Sequence, residues 1–152
     1  MVITSNSKSC EGLTVSVKSF SYHRGIPYDA TGNGGGFVFD CRAIHNPGRY
    51  EQYRDLTGKD SEVVDFFLNE PQMAEFLDLA RKIVALSVEN YIRHGYENLA
   101  VNFGCTGGQH RSVYCAEDMG RFLKSHFPQI NVEVRHLEMK NLKLKLPKHY
   151  AF

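Results

Sequence analysis

Hydrophobic and polar positions change period along this chain in a regular order. Leu13 to Phe20 alternates apolar and polar residues, the period-two pattern of a half-buried strand. Phe37-Val38-Phe39-Asp40-Cys41-Arg42 is a short apolar run and predicts a strand buried on both faces. Asn46-Pro47-Gly48 ends it as a turn, and Arg49 to Asp60 reads as polar and irregular. Asp60-Ser61 caps a short helix through Leu68, and Pro71 stands at the first position of a long one. In that long helix Phe76, Leu77, Ala80, Ile83, Val84, Val88, Tyr91 and Ile92 recur at helical spacing, and Gly95 stops it. Leu99 to Gly104 is the next strand, a helix runs from about His110 to His126, and Asn131 to Arg135 is the last strand. Strands alternating with helices predict an α/β fold, a three-layer sandwich with a mainly parallel or mixed sheet.

The organisation is one domain. Residues 1–12 are polar and expected to be a frayed tail, 13–139 carry the periodic pattern, and 140–152 form a basic tail. With 152 residues, 42% hydrophobic and 23% charged, the chain suits one core and is not of disordered composition. The formal net charge is +1, but Arg135 to His149 holds five basic residues (Arg135, Lys140, Lys143, Lys145, Lys148) against the single acid Glu138. A pull on polyanions is therefore expected from the C-terminal end only. Cys10, Cys41, Cys105 and Cys115 form no Cys-x-x-Cys pair. That spacing reads as reduced, cytoplasmic usage. No apolar run reaches membrane-spanning length. The seven histidines show no ligand spacing on a helix, so neither metal nor cofactor is expected.

The chemistry concentrates in Gly104-Cys105-Thr106-Gly107-Gly108-Gln109-His110-Arg111-Ser112. A buried strand delivers the chain to glycines that let backbone N–H groups converge, and a helix begins at once. The first N–H groups of a helix lack partners and sit at the positive end of its dipole, so an anion is the natural occupant. Arg111 adds a two-pronged donor suited to phosphate, and Thr106, His110 and Ser112 add further donors. Arg42, at a strand end, faces the same cleft or pairs with Asp40, and His23 lies in a loop at another strand end. Cys105-x5-Arg111-Ser112 is also the spacing of cysteine-dependent phosphatases, in which thiolate and arginine face one phosphate. Such an enzyme needs a general acid, for which Asp29, Asp55 and Asp60 are available. A sugar-phosphate-converting enzyme on the same loop is a further enzymatic reading.

The segment Gly104 to Val113 resembles the Gly-Cys-Thr-Gly-Gly-x-His-Arg-Ser-Val motif of the C-terminal domain of the RapZ (YvcJ-type) family of RNase adapters. His23-Arg24-Gly25-Ile26-Pro27, Phe37 to Arg42, Asn46-Pro47, Leu56 to Asp60 and Val134 to Glu138 match in the same order. The resemblance implies a regulator, not an enzyme. It would bind glucosamine-6-phosphate or a related sugar nucleotide through Thr106, Gly107, Gly108, His110 and Arg111; Gln109 and Ser112 of the same loop, with Arg42 and His23 at neighbouring strand ends, are further candidates. It also implies small regulatory RNA held by Lys140, Lys143 and Lys145 and presented to a ribonuclease. Homo-oligomers remain open. The sequence departs from the family at Gly48, where a histidine is usual, at Gln109, often basic, and in the Gly32–Gly36 insert. No Gly-x4-Gly-Lys-[Ser/Thr] is present, so these residues give no support for binding ATP in the manner of a P-loop.

Overall fold

A computed structural model describes residues 12–33 and 35–139. The frayed-tail expectation for 1–12, Gly12 excepted, and the basic tail with Lys140, Lys143 and Lys145 lie outside the described residues. In chain order the elements are β1 (Thr14–Ser21), β2 (Gly36–Asp40), α1 (Ser61–Leu68), α2 (Pro71–His94), β3 (Asn98–Cys105), α3 (Arg111–His126) and β4 (Asn131–His136). The four strands form one parallel sheet in the order β2-β3-β1-β4.

The two faces of that sheet differ sharply, because strand residues alternate sides. Val15, Val17, Leu99, Val101 and Phe103 point to one face and are buried with Val63, Phe67, Met73, Leu77, Val84, Met119 and Leu123 of the three helices. α3 crosses close over β4: a Cβ on Gly120 would lie 2.5 Å from Val134 Cγ2. Arg81 of α2 donates from Nε to Asp118 of α3 at 2.8 Å. On the other face, Thr14, Ser16 and Lys18 of β1 stand in register with Asn98, Ala100 and Asn102 of β3. Segment 22–33, rather than a helix, supplies the third layer there, with Pro27 to Thr31 over these residues.

Three local expectations are corrected. β2 is not buried on both faces. It is an edge strand in which Phe37 and Phe39 pack against the helices, while Val38 on the polar face is 41% exposed. The aromatic pattern arises from one face alone: Phe39 stacks on Phe103 at 5.2 Å and meets Phe76 of α2 edge-on at 6.2 Å. Arg49 to Asp60 is not wholly irregular, since Pro47–Arg49 and Glu51–Tyr53 are 3-10 turns. Asn46 opens the first by accepting from Gly48 N at 2.9 Å. Asp60 precedes α1 as read, but its carboxylate accepts from Thr57 N at 2.6 Å and fixes the turn before the helix instead of capping it.

Phe103→Ala is expected to cost about 3–5 kcal/mol, because the ring is fully buried between β2 and α2. Leu79→Ala, on the 60% exposed outer face of α2, should stay within about 0.5 kcal/mol. Urea unfolding of the two variants checks the pair.

Candidate functional site

The site lies where adjacent strands send their connections to opposite faces. β1 ends at Ser21 and β3 at Cys105, paired in register. The chain then leaves β1 over the polar face and β3 into α3 on the helical face. In parallel sheets such a switch point opens a crevice beyond the strand ends.

The glycines at this point are demanded by neighbours. A Cβ on Gly104 would fall 2.4 Å from Phe20 Cζ and 2.5 Å from Tyr22 Cε2. Gly108 adopts φ +68, and a Cβ there would lie 2.6 Å from Glu138 Cγ. Ser21 Oγ donates to Thr106 O at 2.6 Å and accepts from His23 N at 3.1 Å, so the ends of β1 and β3 are laced together. Thr106 and Gly107 are exposed, whereas His110, Arg111 and Ser112 are buried. Among the described residues, no acceptor bonds the backbone N–H of Gly107, Gly108 or Arg111.

Arg111 is 4% exposed. Its Nη1 donates to Arg42 O at 2.7 Å and Ile44 O at 3.0 Å, and its Nη2 stands 3.5 Å from Thr106 Oγ1. Its Nε is buried without a partner, and among the described residues no carboxylate pairs with it. The guanidinium therefore bridges the Gly-rich loop and the segment after β2. On its far side, Arg42, Ile44, His45, Asn46, Arg49 and Arg111 line a cleft of about 470 Å³. His45 contacts Glu70 Oε2 at 3.3 Å and Tyr50 Oη at 2.8 Å at its rim.

The remaining residues read from the sequence divide into two groups. Arg42 lines the cleft and holds Asp40 by two-pronged contact, with Nη2 to Oδ2 at 2.8 Å, while its guanidinium lies 3.9 Å over the Tyr22 ring. His23 is exposed beside the loop. Gln109 and His110 turn inward as ties. Gln109 Nε2 donates to Arg54 O and Leu56 O, both at 2.6 Å, and Gln109 O accepts from Gly58 N at 2.9 Å. His110 Nε2 donates to Tyr53 O at 2.8 Å. Ser112 Oγ accepts from Cys105 Sγ at 3.1 Å, deep on the helical side. The thiol is 2% exposed and belongs to the core, so sulfur and guanidinium do not surround one open point. Asp29 lies under the opposite face of the sheet, and Asp60 is committed to Thr57. Sequence reading missed Tyr53, Arg54, Leu56 and Gly58 as supports of the loop. Their contribution is largely backbone geometry, which leaves no chemical signature.

The molecule is thus an α/β domain of parallel-sheet type with a buried arginine at the switch point of its sheet. The chain belongs to the RapZ C-terminal domain family, whose model matches residues 13–140. It is 39% identical over 137 residues to a nucleotide-binding protein of Cereibacter sphaeroides strain ATCC 17025, covering 90% of this chain and 43% of that protein. It is 41% identical over 130 residues to one of Aromatoleum aromaticum, covering 85% and 41%. It is 40% identical over 126 residues to one of Mycobacterium leprae, covering 83% and 40%. The chain spans less than half the length of these relatives. No helix among the described residues is long and apolar enough to cross a membrane.

Burial is the main force holding the His110 pKa below its ordinary 6.5, and the neighbouring Arg111 charge adds to it. The folded protein therefore takes up this proton at lower pH than the unfolded chain does. The resulting stability is present above about pH 6.5 and is lost as pH falls through the folded pKa. His110→Gln should flatten the fall in urea midpoint between about pH 6.5 and 5. Identical pH profiles for variant and wild type would contradict a buried neutral imidazole.

Proposed function

We propose that this chain is the ligand-sensing domain of a RapZ-type regulator. It binds a phosphorylated amino sugar, glucosamine-6-phosphate or a related sugar nucleotide, at Thr106 to Arg111. The observation that carries this reading is Arg111, a buried cation whose described partners are two carbonyls and a distant hydroxyl, with no carboxylate. Removing a charge from water is costly, the Asp40 carboxylate acts on it only at longer range, and a phosphate at the adjacent loop supplies a direct counter-charge. The exposed Thr106 and Gly107 and the unbonded N–H groups of the loop offer the remaining contacts. The name of the relatives, nucleotide-binding proteins, agrees with a phosphorylated ligand.

The same bridge gives occupancy a means of being read elsewhere. An anion on the loop competes with Arg42 O and Ile44 O for the guanidinium, and ionic hydrogen bonds are the stronger kind. Ligand binding then shifts the 42–44 segment and the arginine-rich cleft that it lines. Presentation of small RNA to a ribonuclease is the output that the family resemblance implies, with Lys140, Lys143 and Lys145 as backbone contacts.

Calorimetric titration with glucosamine-6-phosphate, glucose-6-phosphate and inorganic phosphate tests the ligand. The amino sugar should bind tightest. Arg111→Ala should weaken it at least tenfold, or about 1.4 kcal/mol. The exposed Thr106→Val variant guards against a folding defect at position 111 and should weaken binding several-fold. Equal, weak binding of all three reduces the loop to a general anion site. For RNA, Lys143→Ala with Lys145→Ala should lower affinity across sequences and flatten the salt dependence.

A further inference from the structure

The two edges of the sheet are not alike. β4 carries the exposed charges Glu133 and Arg135, which discourage a further strand from pairing. β2, at the other edge, carries no charge before Asp40, and Asp40 is held by Arg42. Cys41 N donates to Gly104 O at 2.8 Å, continuing the β2–β3 ladder. Alternation along that ladder turns the N–H and C=O groups of Gly36, Val38 and Asp40 to the open side. Among the described residues, nothing bonds them there.

An apolar stripe lies along the same side of the molecule. Phe76 of α2 meets Phe39 of β2 edge-on, so the flank of α2 that carries Phe76 is the one beside β2. Leu79, Ile83 and Leu86 follow Phe76 at helical spacing and share that flank. They are 60%, 48% and 67% exposed. The opposite flank of α2 faces α3, where Arg81 holds Asp118. An unpaired strand edge and an exposed aliphatic stripe on one side are two features that a single partner covers.

We propose that β2 and α2 form the contact surface for a second copy of this chain, joined antiparallel about a two-fold axis at Val38. The edge is complementary to itself in that register. Val38 exchanges N–H···O bonds with Val38 of the second copy, and Gly36 does so with Asp40. Phe37 stands opposite Phe39 of the second copy, extending a stack in which the two rings already lie 5.5 Å apart. The two Asp40 carboxylates fall at opposite ends of the paired strands, so no like charges meet. The same axis sets the two α2 helices antiparallel, with the Glu75 end of each stripe toward the Arg93 end of the other. Five strand residues and three helix side chains make a small contact, which fits a weak, reversible pair and not an obligate one. The surface is independent of the sugar-phosphate reading, because no residue of the Gly-rich loop belongs to it.

Analytical ultracentrifugation of the full chain from about 5 µM to about 1 mM, with amide hydrogen exchange at both ends of that range, tests this. The mass should rise with concentration from 17.3 kDa toward twice that value. Exchange at the Val38 and Asp40 amides should slow about threefold or more at the higher concentration, with no change in β4. Val38→Lys, at a 41% exposed position, sets two like charges on the axis and should weaken association about tenfold. Ile83→Glu, on the exposed flank of α2, should weaken it several-fold and carries the test if Val38→Lys does not fold. A chain that stays monomeric to the highest concentration overturns the proposal. So does a dimer that leaves the Val38 and Asp40 amides unprotected, or one indifferent to both substitutions. Failure of the sugar-phosphate titration would leave this result untouched.

Discussion

The C-terminal end of the sheet is organised around one buried guanidinium. Arg111 sits in the first turn of α3 and donates to the carbonyls of Arg42 and Ile44, so the helix start, the Gly-rich loop and the segment after β2 share one cation. Carbonyl dipoles and the longer-range Asp40 charge offset part of the desolvation cost of that cation. The start of α3 and the position of the 42–44 segment are therefore tied through one cation.

The sheet makes the other organising choice by giving each face a different partner. The helical face is packed with Val, Leu and Phe and supplies the rigidity that holds Cys105 and Arg111 in place. The opposite face carries Thr14, Ser16, Lys18, Asn98 and Asn102, under a loop segment instead of a helix. A loop on a polar sheet face cannot exclude water as a helix does, and small residues at Gly36 and Ala100 leave space beneath it. The polar ties His136 Nδ1 to Ser19 Oγ at 2.7 Å and His136 Nε2 to Glu117 Oε1 at 2.7 Å join β4, β1 and α3 within the helical layer. Burial works against ionisation of Glu117, but its bond to His136 and the Lys59 charge hold its pKa below the ordinary value.

Much of this was legible in the chain. The long helix followed from apolar spacing between Pro71 and Gly95, and the structure places α2 at Pro71–His94 with Gly95 left-handed after it. The loop was legible because strand, glycine, arginine and helix start are contiguous, so local chemistry alone places them together. The solvent-facing side of β2 was not, because Phe37 and Phe39 shared one face while Val38 between them mimicked a doubly buried run. Nor were the ties that Gln109 and His110 make to backbone carbonyls more than fifty residues away in sequence.

By itself, the sequence determined the order of elements, the α/β class and the position of the strand-to-helix turn at Thr106 to His110, since each depends on periodicity or on neighbours within a few residues. Only the tertiary structure decided which strand lies at the edge and which donors of the loop are already occupied. It alone placed the carbonyls of residues 42 and 44 around Arg111, and Asn102 beneath a loop some seventy residues earlier in the chain. Those features arise from strand order and long-range packing, and no local pattern of residues encodes where a distant carbonyl or an empty space will fall.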